Sequence, residues 1–296
     1  RTPRATLFIL VSACCFGSIG ILTTLAMNAG ARLIDVLVWR YVIAAVLLVV
    51  VSGGLSAFRA VGRRGISIAA YTGVGQATIA FVTLSSLKYL PAATVTFLFY
   101  TYPAWVAVIS AIRGVERLTG PRVIALGLSL VGIALMVGVP GSGGLHPMGA
   151  ALALSAAFLY AIYIPMIDHF GTGLPPAVTS TFASGGAAVV LIIASAFQGG
   201  IRFDFTPVAW ASMAALAILC TVIAFILFLR GLAVIGPVRT AIISTIEPFW
   251  TALLGSVVLS QQLNARTYAG GALIAFAVIV LQWKSADGAV AAAPAT

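Results

Sequence analysis

The sequence predicts an all-α integral membrane protein: ten transmembrane helices in two inverted-topology five-helix repeats, with both termini cytoplasmic. Three observations carry that prediction. Of 296 residues, 61% are hydrophobic and only 7% are charged, whereas a soluble globular domain carries about 25% charged residues. So few charges cannot cover a water-facing surface. The apolar residues also fall into ten continuous runs, each close to the roughly 20 residues that cross a bilayer. Finally, the segments 87–107 and 232–252 are copies of one another. Set 145 residues apart, they pair Leu87 with Leu232, Pro103 with Pro248, Trp105 with Trp250 and Ala107 with Ala252.

The runs are 6–27, 33–53, 66–87, 91–112, 122–139, 148–168, 176–197, 208–229, 237–259 and 267–284. They are numbered here as spans one to ten. Continuous apolar runs that do not alternate read as helices, the element that satisfies its own backbone in lipid. Span one is too long for a signal peptide and has no convincing cleavage site. Span two ends at Gly53-Gly54, span three begins beyond Gly62, and span four ends at Gly114. Span five runs into Pro140-Gly141-Ser142-Gly143-Gly144, span six ends at Gly171 to Pro176, and span seven at Gly199-Gly200. The repeat then divides the chain into 1–143 and 144–284, followed by an alanine-rich tail, 285–296, expected to be disordered. Five spans per copy is an odd number, so the second copy crosses in the opposite sense. That places a twofold axis in the membrane plane and a site at its centre.

The net charge of +10 comes from single basic residues between apolar runs. They form no patch of the kind that binds nucleic acid, and they read as topology determinants. Arg1, Arg4, Arg59, Arg63, Arg64, Arg113, Arg117, Arg122, Arg230, Arg239 and Lys284 fall on one side of the predicted membrane. Only Arg32, Lys88, Arg202 and Arg266 fall on the other. The first side is therefore expected to be cytoplasmic. Cys14, Cys15 and Cys220 lie within spans and have no metal-ligand spacing. They read as small apolar packing residues.

Chemistry-bearing residues concentrate around the two prolines. Pro103 and Pro248 lie mid-span and each removes an amide donor, so the carbonyls of Phe99 and Ser244 are candidate free acceptors. The alternative is a kink that serves packing alone. Thr240, Ser244, Glu247 and Thr251 share one face of span nine. Their counterparts in span four, Val95, Phe99, Tyr102 and Val106, are apolar or aromatic. A cavity between these faces has one polar and one oily wall, which suits a small amphipathic solute. Glu247 is a carboxylate deep in a span. It could take a substrate ammonium, carry a proton, pair with Arg40 or Arg239, or stay protonated and bond to the backbone. Arg40, within span two, could pair with Asp35, snorkel outward, or reach a substrate carboxylate. Gln76 in span three requires a hydrogen-bond partner, on another helix or on a substrate. Tyr160 and Tyr163 share a face of span six. Asp168-His169 reads as a solvated helix end, and Glu116 as a loop ion-pair residue whose counterpart is Gln261.

Enzyme motifs are missing. Gly73-Val74-Gly75 lies in a span without the βαβ setting of a dinucleotide loop. No metal or organic cofactor is implied.

These residues resemble the EamA family of the drug/metabolite transporter superfamily. The likeness runs from Thr6 to Trp283 and rests on Arg40-Tyr41, Leu87-Lys88-Tyr89, Pro103, Glu116-Arg117-Leu118-Thr119, Tyr160-Ala161 and Glu247-Pro248. The chain departs from the family at Phe16 and Tyr160, where tryptophan is frequent, and at Gln261, where an acid is expected. Within the family it looks most like the YddG-type exporters of aromatic and other amino acids. The resemblance implies export across a bacterial inner membrane by alternating access, through a cavity lined by spans one, three, four, six, eight and nine. Tyr102, Tyr160 and Phe16 are then expected to hold the apolar part of the solute. Ser244, Glu247 and Gln76 are expected to bind its polar end, with Pro103 and Pro248 as bending points. The expected partners are an amino acid or related metabolite and the lipid bilayer, with protons as a candidate coupled ion. Export of another small metabolite or a cationic drug, a membrane scaffold, and an intramembrane enzyme remain as alternatives.

Overall fold

The computed structural model describes residues 2–54, 61–86, 89–90, 95, 98–114, 119–137, 146–259, 265–266 and 268–277. The predicted loop pair Glu116-Arg117, its counterpart Gln261, Lys88 and the tail 285–296 lie outside them. Among the described residues there are helices and no strand. Seven helices among the described residues are long and apolar enough to cross a membrane: Thr2–Asn28, Leu33–Val51, Arg63–Thr83, Pro147–Gly171, Pro176–Ala196, Pro207–Ile235 and Pro237–Val258. They correspond to predicted spans one, two, three, six, seven, eight and nine. Shorter apolar helices, Tyr102–Ile112, Val123–Leu135 and Tyr268–Ala277, fall within the runs predicted as spans four, five and ten. Large apolar side chains such as Val50, Ile66, Ile112, Val189 and Ile193 are exposed on the outer faces, which is where lipid would lie.

The packing exchanges the two halves of the chain. Span one lies along span eight, and span six along span three; span two lies along span seven, and span four against span nine. Replacing one by six, two by seven, three by eight and four by nine returns the same pairs. The loops obey the same exchange. Arg32, before span two, donates to the carbonyls of Gln198 (2.6 Å) and Gly200 (2.8 Å) after span seven. Arg64, before span three, donates to the carbonyls of Phe170 (3.1 Å) and Thr172 (2.6 Å) after span six. Arg32 also clamps Asp35 at 2.7 and 2.8 Å. That hydrogen bonding pushes the Arg32 guanidinium further above its ordinary pKa, so it stays charged.

Of the seven long helices, four are not regular α-helices throughout. Span one divides at Ser18 into Thr2–Gly17 and Ile19–Asn28. Span nine divides into Pro237–Ser244 and Glu247–Leu259. Spans three and eight each contain a π-helical segment, Ala69–Gly73 and Ile218–Ile223. Such wide turns shift the backbone register, loosen its hydrogen bonding and recur at functional sites. Span eight ends at Gly236, whose φ of 79° suits glycine, and Pro237 then opens span nine. The small residues of spans five and ten meet within the chain. A Cβ on Gly132 would come within 2.7 Å of the Gly270 carbonyl oxygen, so this pair of helices packs backbone to backbone.

Candidate functional site

The prolines do more than kink their spans. In span nine the helix stops at Ser244, turns through Thr245-Ile246, and restarts at Glu247. In span four a turn at Tyr100-Thr101 precedes a helix that starts at Tyr102. The restarts are repeat-equivalent, and each puts its proline second in the new helix. There the missing N–H has no partner to lose and the fixed φ is already helical. The expected bend is therefore a break. At both breaks a threonine returns its hydroxyl to the carbonyl three residues back, Thr101 to Leu98 (2.7 Å) and Thr245 to Ile242 (2.6 Å). Glu247 occupies the first turn of its helix, where the macrodipole favours a negative charge.

Span one closes on the break in span nine. A Cβ on Gly17 would come within 2.8 Å of the Glu247 carbonyl oxygen, so glycine allows this approach. The Thr251 hydroxyl then donates to the Gly17 carbonyl at 2.8 Å, and Trp250 Nε1 to Ser18 Oγ at 3.2 Å.

A cavity of about 180 Å³ lies between the broken helices. Spans one, three, four and six line it with Phe16, Gln76, Phe99, Tyr102, Tyr160 and Tyr163. Span eight adds Phe225, span nine Glu247, and span two Arg40 with Tyr41. The aromatic wall is continuous. Tyr160 meets Tyr102 edge-on at 4.8 Å between ring centroids, Phe99 at 5.4 Å and Tyr163 at 6.2 Å. Phe16 packs edge-on against Phe228 at 6.1 Å. On the polar side, Tyr163 donates its hydroxyl to Gln76 Oε1 at 3.0 Å, and Tyr100 is hydrogen-bonded to Glu247.

Of the expected site residues, the structure brings Phe16, Gln76, Tyr102, Tyr160 and Glu247 together around this one space. Ser244 does not line it. It is buried behind Tyr102, to whose hydroxyl it is hydrogen-bonded, and so supports the aromatic wall from outside. Thr251 is committed to span one, and Thr240 and Val106 are buried and do not line the cavity.

Span two was not among the expected lining helices. Asp35 is engaged by Arg32, so the pairing of Arg40 with Asp35 does not form. Arg40, only 6% exposed, turns to the π-helical segment of span eight. Its Nε donates to Thr221 Oγ1 at 2.8 Å and its Nη2 to the Cys220 carbonyl at 3.2 Å. The guanidinium also lies 5.1 Å from the centre of the Tyr41 ring.

The largest buried apolar cluster lies on the side of the cavity that carries the N-terminal end of span one. Ile9, Val106, Ile164, Leu232 and Ile242 pack there, each no more than 1% exposed. The charge count of the sequence predicts that this end is cytoplasmic. A second cavity of about 410 Å³ lies near Asp168, Thr172 and Thr179 at the end of span six. Helix ends and loop residues line it, away from both breaks.

Comparison with known proteins agrees with this architecture. The EamA-like transporter family matches twice, over residues 3–138 and 147–283. An uncharacterized inner membrane transporter, YicL, of Salmonella typhimurium is 27% identical over 98% of this chain and 99% of its own length. An uncharacterized transporter of Archaeoglobus fulgidus is 23% identical over 71% of this chain and 76% of its own length. A solved crystal structure superposes with a TM-score of 0.76 over 95% of this chain and 96% of that one, at 19% identity, and so has the same fold. The chain is a multi-pass protein of the inner membrane, and it belongs to the EamA-like transporter family.

Proposed function

We propose that this chain is a secondary transporter that exports amino acids with apolar or aromatic side chains by alternating access. The observation that supports this most is the composition of the cavity walls. Glu247 and Gln76 provide a polar side, and Phe16, Phe99, Tyr102 and Tyr160 provide an aromatic one. A solute with a charged head and an apolar body matches both walls. The volume points the same way. At about 180 Å³, the cavity is smaller than the roughly 300–1,000 Å³ of pockets for drug-sized ligands. That disfavours a bulky cationic drug.

In this reading Glu247 receives the substrate ammonium and the aromatic cluster its side chain. The halves 1–143 and 144–284 rock about the breaks at Tyr102 and Glu247. The buried cluster of Ile9, Val106, Leu232 and Ile242 is the gate that parts when the site faces the cytoplasm. No catalytic role is proposed for any residue.

Flux into proteoliposomes tests the reading. Radiolabelled threonine, methionine, phenylalanine and tryptophan are each supplied, and at least one should move faster than in protein-free vesicles. Background rates for all four would end the amino-acid proposal. Tyr102→Ala should lower the flux of phenylalanine at least tenfold, with the protein still monodisperse in detergent.

A further inference from the structure

We infer that Arg40 binds the carboxylate of the transported solute, so that Arg40 and Glu247 together read the two ends of a zwitterion. The inference rests on the amino-acid reading and adds to it the residue that recognises the acid end.

Arg40 is a buried cation whose nearest same-helix acid is taken. Asp35 accepts three bonds from Arg32: from its backbone N at 3.2 Å, from Nε at 2.7 Å and from Nη2 at 2.8 Å. Arg32 and Asp35 form a salt bridge, and among the described residues none joins Arg40 to a carboxylate. A buried charge without a partner is costly. Yet Arg40 and Glu247, a base and an acid, line one cavity with no salt bridge between them. Two such groups facing one small space are complementary to a molecule with separated positive and negative ends.

The arginine is also held in place for this task. Nε is fixed by Thr221 and Nη2 by the Cys220 carbonyl, both within the π-helical segment Ile218–Ile223. Those bonds occupy one edge of the planar guanidinium. The edge that carries Nη1 makes no hydrogen bond to the described residues, and two parallel N–H groups on one edge match a carboxylate. A guanidinium anchored on one edge and lining a cavity on the other reads as a receptor for a carboxylate.

The test measures binding to detergent-purified protein of four compounds that share one ring: L-phenylalanine, L-phenylalaninamide, phenethylamine and 3-phenylpropionate. Wild type should bind phenylalanine about 10- to 100-fold more tightly than the amide or the amine, as expected for loss of one charge-assisted hydrogen-bonding group. Arg40→Gln should bind phenylalanine and its amide alike, and Arg40→Lys should keep part of the preference. Equal binding of acid and amide by wild type overturns the carboxylate role while leaving the amino-acid reading intact. So does an Arg40→Gln protein that still prefers the acid. Binding of none of the four by wild type overturns both readings. If Arg40→Gln does not fold, the comparison of acid with amide on wild type still decides.

Discussion

Two helix crossings are related by the internal exchange of halves and are built in opposite ways. In one, span two crosses the π-helical segment of span eight through Arg40-Tyr41. In the other, span seven crosses the π-helical segment of span three through Gly186. The glycine crossing is closed. A Cβ on Gly73 would come within 2.5 Å of Gly186 Cα and 2.7 Å of the Ala187 nitrogen, so backbone touches backbone. The arginine crossing is held apart by a long side chain bonded to Thr221 and Cys220, and the cavity lies against it. The fold repeats, but one crossing is closed backbone to backbone and the other lines the cavity. Helices in lipid gain little from burying apolar surface, so close backbone approach is a principal source of packing energy between them. With one crossing held open, the other is left to hold the halves together.

The largest effect is expected from breaking the brace. Gly186→Ala places a methyl group against the Ala69 carbonyl and 3.0 Å from Gly73 Cα. These are backbone atoms that no rotamer change can move. Overpacking of this kind costs about 1–3 kcal/mol and occasionally more, and the upper end is expected here. Gly185→Ala is the control, because a Cβ there meets nothing within 4 Å. In a helix that change is worth up to about 1 kcal/mol in favour of alanine. Thermal unfolding of the two variants in detergent should therefore shift in opposite directions. Equal shifts would mean that the glycine crossing is not a close contact.

The architecture was legible because it depends on local composition. Apolar runs of bilayer length can do little else but span, and the offset of 145 residues is written in Leu87, Pro103 and Trp105. The breaks were half legible. Proline announces trouble in a helix, but whether the chain kinks or restarts depends on whether an N–H is available at the next turn. Here Thr101 and Thr245 supply local bonds and the helix restarts. The π-helical segments were not legible. Ala69–Gly73 and Ile218–Ile223 have no distinctive residues, and the wide turn is selected by what packs across it. Arg40 was seen but could not be aimed, since its partners lie 180 and 181 residues away on span eight. Ser244 was placed in the cavity because it shares a helical face with Glu247. The break after it and the Tyr102 ring in front of it put it behind the wall.

A smaller effect tests what fixes the open crossing. Thr221→Val keeps the shape of the side chain and removes the acceptor for Arg40 Nε. A hydrogen bond to a charged group is worth about 1.5–3 kcal/mol, and Thr221 is 1% exposed, so no water is at hand to replace it. About 2 kcal/mol of stability should be lost. The preference for phenylalanine over its amide should fall several-fold, as the guanidinium loses its alignment. Stability lost with the preference unchanged would make Thr221 a packing residue and detach the π-helical segment from recognition.

The smallest effect comes from the position equivalent to Thr221 in the other half, which is Gln76. There the partner is not an arginine on span two but Tyr163 on span six, donating at 3.0 Å. Both halves thus use this position of their third helix to hold a ring or a guanidinium at the cavity wall. The bond in the first half is between neutral groups, so its net worth is about 0.5–1.5 kcal/mol. Tyr163→Phe deletes the donor and keeps the ring beside Tyr160. Gln76 lines the cavity, so its freed carbonyl can turn to the solute or to water. The expected result is a change of less than about 1 kcal/mol in stability and no more than a few-fold rise in the KM for export. The selectivity for a carboxylate should be unchanged, because that is assigned to the other crossing. A loss of acid-over-amide preference in Tyr163→Phe would show that the two walls act as one network, and the division of labour between the crossings would fall.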